Sequence, residues 1–242
     1  MEFKDNFSET HMLFNQPVTF TIYADNRDIL TTFQMKLPTF QMFYFQECMR
    51  QFVSLIHTPI TDLQEQFVMI NNFESHYQLL TCLVLLQNPR VNKYLDIVRN
   101  AMTLLGLTVE YVSSTGSINI NGIQATEELL TRIFRIILIT LALKKQSDFI
   151  DDPQMRAYQE KIDRIKRKNK PVKGMETGDF QQAYMILTYE FGYKPEEILN
   201  MTQYAINTIL GYTNKSITYK LTLIAAANGN TKKVKFITDK GR

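Results

Sequence analysis

Three histidines, two cysteines and the acidic doublets Asp151-Asp152 and Glu196-Glu197 are the first side chains to test for chemistry in this 242-residue chain. His11, His57 and His76 are scattered, and neither Cys48 nor Cys82 has a second ligand two to four residues away, the spacing that zinc sites favour. Both cysteines sit in apolar helical contexts (FQECMRQF and LLTCLVLL), so buried reduced thiols are expected in place of a disulfide. Asp151-Asp152 reads as solvated linker, and Glu196-Glu197 as acidic complement to the positive end of a helix dipole. The nine glycines never assemble as GxGxxG or GxxxxGK[ST], and no serine occupies a GxSxG elbow. Local patterns thus mark no catalytic, cofactor-binding or metal-ligating residue. A small C-terminal helical block, Gly178 to Lys235, on a basic Pro/Gly-marked tether points instead to a protein that binds a partner.

Two groups of residues could do the binding. Between Glu160 and Lys173 seven basic residues face two acidic ones, a local +5 that leaves the rest of the chain at −2 of its overall +3. Lys161, Arg164, Lys166, Arg167 and Lys168 are the candidate contacts there. Such density could neutralise phosphates. The run has no interleaved aromatics apart from Tyr158, which disfavours a single-strand stacking platform. A solvated helix or linker, with Glu160 and Asp163 pairing along its face, is the favoured reading. The second group lies in the aromatic stretch from Phe40 to Phe52, where most side chains should be core. Methionine also adapts to partner surfaces, so Phe43, Phe45 and Met49 are candidates for a groove that takes an amphipathic helix.

The elements that must position these residues follow from periodicity. Residues 1 to 16 show no sustained period and read as partly ordered. Val18, Phe20 and Ile22 alternate with polar neighbours as a strand, Asp25 to Asp28 supply a turn, and a second strand through Ile29 to Leu37 completes a hairpin. Pro38 and Thr39 open a helix to about Ile56, which Pro59 breaks. Helices are predicted over Asp62 to Ile70, Phe73 to Leu86 and Val91 to Leu105, the last closed by Gly106. Leu107, Val109 and Tyr111 alternate, Ser113 to Gly116 turn, and Ile118 and Ile120 alternate again before Asn121-Gly122. Thr126 with Glu127 and Glu128 starts a long helix that ends near Lys144 and Lys145.

Three segments are expected: a mainly helical domain with one or two short β-hairpins (1–145), a charged linker (146–177) and a small three-helix unit (178–242). In the last, Phe180, Ala183/Tyr184, Leu187 and Phe191 fall at helical spacing before Gly192. Pro195 suits a first helical position, and Ile198, Met201/Thr202, Ala205 and Ile209 trace an apolar face up to Gly211. Ser216 can cap a third helix to Ala227. The stretch from Tyr193 to Tyr212 has the outline of a helix-turn-helix, but Asn200 to Tyr204 lacks the turn glycine and Gln203 to Leu210 carries no Lys or Arg, which disfavours DNA readout. The fold class is therefore α+β, predominantly helical. Apolar content of 45% is that of a globular protein, and no run of 18 apolar residues exists to span a bilayer. MEFKDNFSET is acidic and polar where a secretory leader would be basic and then apolar, so a cytoplasmic location is expected.

Several segments together resemble the tail assembly chaperones of phages that infect Gram-positive bacteria. They are FNQPVTFTIYADNRDI with KLPTFQMFYFQECM, SININGIQATEELLTRIFRIIL, DDPQMRAYQEKIDRIKRKNK, YEFGYKPEEILNMTQYAINTIL and LIAAANGNTKKVKF. These soft patterns of spacing and character cover most of the chain. The last departs in having no aromatic of the Trp type after its basic residues, since the chain contains no Trp. The resemblance implies a non-enzymatic role without cofactor in the host bacterial cytoplasm: binding the long helical tape-measure protein and yielding it to tail-tube subunits. Self-association stays open. The alternatives are a structural component retained in the virion, such as a tail or head-completion protein, and a nucleic-acid-binding phage regulator that uses the basic tether.

Overall fold

The computed structural model describes residues 2–25, 27–70, 73–86, 88–143 and 184–211. The basic run and the third C-terminal helix, Ser216 to Ala227, lie outside the described residues, as do Lys144 and Lys145. The architecture is α+β and mainly helical, with two three-stranded antiparallel sheets.

The first sheet has the order β1 (Glu2–Asp5), β2 (Val18–Tyr23), β3 (Ile29–Met35), with α1 (Glu9–Phe14) between its first two strands. The predicted β2–β3 hairpin forms, and Val18, Phe20 and Ile22 all face the core. Phe20 stacks on Phe33 with centroids 5.2 Å apart. The N-terminal residues, which carry no readable period, become its third strand. Asp5 explains how they are held: its carboxylate accepts from Nε and Nη2 of Arg132 at 2.8 and 3.0 Å, tying the strand to α7 (Glu127–Thr140).

The helix expected from Thr39 to Ile56 is two helices, α2 (Phe40–Phe45) and α3 (Glu47–His57), separated by an extended Gln46 at φ −103° and ψ 111°. The Arg50 guanidinium donates to the carbonyl of Tyr44, occupying an acceptor that the break leaves beyond the helical ladder. α2 touches two clusters, with Met42 and Phe43 half-buried against the main core and Phe40 turned to a second one. Met49, Phe52, Val53 and Ile56 enter the main core, and Phe40 enters a second.

α4 (Ile60–Gln66), α5 (His76–Leu86) and α6 (Pro89–Leu104) follow. Gly106 closes α6 at φ +79°, where the Gly106 amide donates to Thr103 and that of Leu107 to Met102. The second sheet runs β4 (Val109–Val112), β5 (Ser117–Ile120), β6 (Ile123–Gln124). Asn121 and Gly122 both take positive φ, the geometry of a two-residue turn that matches strand twist. α7 starts at Thr126, whose hydroxyl accepts from the Leu129 amide at 3.2 Å. Nearly all its apolar side chains are buried, and Phe134 meets Phe52 edge-on at 5.5 Å.

Three more helices complete the described chain: α8 (184–189), α9 (Pro195–Leu199) and α10 (203–211). Pro195 holds the first position of α9, and the Glu197 carboxylate accepts from the Lys194 amide at 2.7 Å. The single helix expected from Pro195 onward is interrupted between Asn200 and Thr202. Thr202 starts α10 by accepting from the Ala205 amide at 3.0 Å. Of the expected stripe, Ile198, Thr202 and Ala205 are buried across the break and Ile209 is half-buried, while Ile206 is the buried isoleucine of α10.

Candidate partner-binding surface

α2 stands between the two cores. Phe40 is fully buried in the second cluster with Leu187, Ile198 and Ile206, and Tyr44 stacks on it at 4.1 Å between centroids. Burial raises the Tyr44 phenol above its ordinary pKa. The second cluster draws on α8, α9 and α10, so the described part of the C-terminal unit packs against the N-terminal body. The Phe40 amide donates to the Met201 carbonyl at 2.8 Å, and Thr39 pairs with Thr202 as an antiparallel bridge. The Thr202 hydroxyl donates to the Met12 carbonyl at 2.6 Å. Asn15 donates to the Asn200 carbonyl at 2.9 Å, and the Tyr204 hydroxyl donates to Glu9 at 2.6 Å.

The three groove candidates have different fates. Met49 is fully enclosed, Phe43 is half-buried against the main core, and Phe45 is 65% exposed. Met185, Tyr189 and Phe191 on the C-terminal unit also stand out, with Tyr189 75% exposed. Periodicity had put Phe191 on the apolar stripe of its helix. α8 ends at residue 189, so Phe191 falls in the turn that Gly192 completes at φ +71° and leaves that stripe. Met185 and Tyr189 are four residues apart and share one face, opposite in burial to Leu187. An exposed i, i+4 apolar pair was readable in the sequence, but periodicity does not say which of two apolar faces is covered.

Elsewhere among the described residues, clefts open on the surface. The first, about 490 Å³, lies between α3, α4 and α6 and is lined by Gln51, Leu55, Leu63, Tyr94 and Ile97 among others. A second, about 640 Å³, flanks α7 beside Phe3, with Glu127, Glu128, Arg132 and Arg135 at its wall. The third, about 360 Å³, is polar. In it Arg99 pairs with Asp96 at 3.1 Å and lies 4.9 Å from the Tyr111 ring centre, and the Tyr111 hydroxyl donates to Leu95 at 2.9 Å. Burial pushes the Tyr111 phenol far above its usual range, with the nearby Arg99 charge acting in the opposite direction. Arg99, Asp96 and Tyr111 are thus all engaged within the cleft wall.

Cys48 and Cys82 are free, half-buried thiols. Among the described residues no group of three or more His, Cys, Asp or Glu could hold a metal ion, and no helix is long and apolar enough to cross a membrane. Compared with protein-family models, curated proteins and solved structures, the chain matches none.

Proposed function

We propose that this protein binds a helical protein partner without catalysing a reaction, and that it serves as a phage tail assembly chaperone for the tape-measure protein. The observation that carries the binding reading is the exposure of large apolar side chains on helical elements around the second core: Phe45 at the end of α2, and Met185 and Tyr189 on α8. Contacts of this kind suit an apolar stripe on a helix. Modest exposed area also suits a partner that must later be released. The phage assignment rests on the resemblance of the chain segments quoted above. The basic run, including Arg164, Lys166 and Arg167, would meet acidic surface on the tape measure or the tail-tube subunit.

The test is affinity capture of the tagged protein from phage-infected cells, with mass spectrometry of its partners and of purified virions. Recovery of a long helical tape-measure protein, with this chain missing from particles, is the expected result. Stoichiometric presence in the virion would make it a structural component. Charge reversal at Arg164, Lys166 and Arg167 should weaken capture, and unchanged capture would remove the run from the interface.

A further inference from the structure

The second core cluster is the seam between the body and the C-terminal helices. Its four fully buried residues come from two places: Phe40 from α2 in the body, and Leu187, Ile198 and Ile206 from the C-terminal helices. Phe40 faces that segment, while Met42 and Phe43 of the same helix lean on the main core. The Asn15–Asn200 and Tyr204–Glu9 hydrogen bonds are exposed, where water competes for both partners. The Thr202–Met12 bond is buried, and Thr202 also caps α10, so one side chain couples docking to helix formation. Tyr204 of α10 is partly buried against the main cluster.

We propose that residues 184–211 form an intramolecular latch over the Phe40–Tyr44 face of α2, which opens as a unit and yields that face to an apolar stripe on a partner's amphipathic helix. The occupant is argued from what covers the face in the closed state. Leu187, Ile198 and Ile206 are helical apolar side chains, so the seat is already shaped for them. Phe45 extends the same helix into solvent beside it and offers a first contact before the latch leaves. This deepens the binding reading given above and takes from it the chemical class of the occupant. It also gives a reason for reversible binding: the latch competes for the seat, and its high effective concentration lowers the apparent affinity of any partner.

Amide hydrogen exchange on the full chain tests the opening, because the Phe40 amide donates to Met201 across the seam. After correction for intrinsic rates, the Phe40 amide should exchange at least about tenfold faster than that of Phe20 in the first sheet. Equal rates at Phe40 and Phe20 would overturn the latch. Thr202→Val should speed exchange at Phe40 and leave Phe20 unchanged. Thr39 and Thr202 face each other across an antiparallel bridge, so Thr39→Cys with Thr202→Cys can lock the seam, in a Cys48→Ser, Cys82→Ser background. A labelled synthetic peptide carrying residues 184–211 then probes the seat. It should bind the reduced form and lose at least about tenfold in affinity on oxidation. Equal binding in both forms would overturn the latch, and absence of binding in both would overturn the assigned occupant. These readouts use purified protein, so they can fail while capture from infected cells succeeds, and the reverse.

Discussion

Gly116 is held by two constraints. Its φ of +69° belongs to the region that L side chains rarely adopt, and an added Cβ would lie 2.8 Å from Leu85 Cγ. Gly116→Ala should therefore destabilise the protein by about 2–4 kcal/mol, the sum of backbone strain and overpacking. Gly122 has φ +79° with nothing within 4 Å of such a Cβ, so Gly122→Ala should cost only the backbone part, about 1–2 kcal/mol. Urea midpoints of the two variants would separate the terms, and equal losses would remove the Leu85 contact from the explanation. Tyr111 supplies a pH signature. Its phenol is protonated more tightly in the folded protein than at the ordinary value of 10.0. The folded state then keeps a proton that the unfolded chain releases, so stability is full below pH 10 and falls as pH rises beyond it. Tyr111→Phe should lose stability less steeply in that alkaline window, measured by denaturant titration at pH 9 to 11.

At the scale of elements, local chemistry sets where helices begin and tertiary contacts set where they bend. Thr126 caps α7 through its hydroxyl, and α7 runs through the middle of the main core. Thr126→Ala should cost about 1 kcal/mol, read as a shifted midpoint with an unchanged denaturant slope. A changed slope would instead point to an altered native or denatured state. Thr126, Pro195 and the Gly106 closure were legible in the sequence because their partners lie within five positions, and the Asn121-Gly122 turn because its residue types suit positive φ, although Asn121 also exchanges hydrogen bonds with the distant Thr108. The break at Gln46 was not. The segment around it has helix-compatible side chains on both sides, and the reason to bend lies in two cores that come from distant parts of the chain. The first strand was illegible for the same kind of reason: four residues gain their place by pairing with β2 and by the bond from Asp5 to Arg132.

For the whole molecule, the proposed binding role turns on the division into a main cluster and a small second one. The second cluster lets a helical segment sit on the body through few side chains, and it leaves Phe45, Met185 and Tyr189 facing outward. Phe45→Ser combined with Tyr189→Ser should change unfolding free energy by under about 1 kcal/mol, since both side chains are already in water. The same pair should reduce capture of the protein partner severalfold, because exposed aromatics supply most of the energy at such contacts. Full capture by the double variant would move the interface elsewhere, with the cleft between α3, α4 and α6 next to be examined by Leu55 and Ile97 substitutions.

The amino-acid sequence by itself determined the α+β class, the first hairpin, the second sheet's turns and the starts of α7 and α9. These depend on period and on short-range capping, which a chain carries in its own order. Only the tertiary structure decided which of Phe43, Phe45 and Met49 is enclosed, where α2 ends, and that residues 184–211 rest on the body. The hydrophobic effect is non-directional, so apolar residues of similar type have equal claim to the interior until the surrounding elements fix which faces meet.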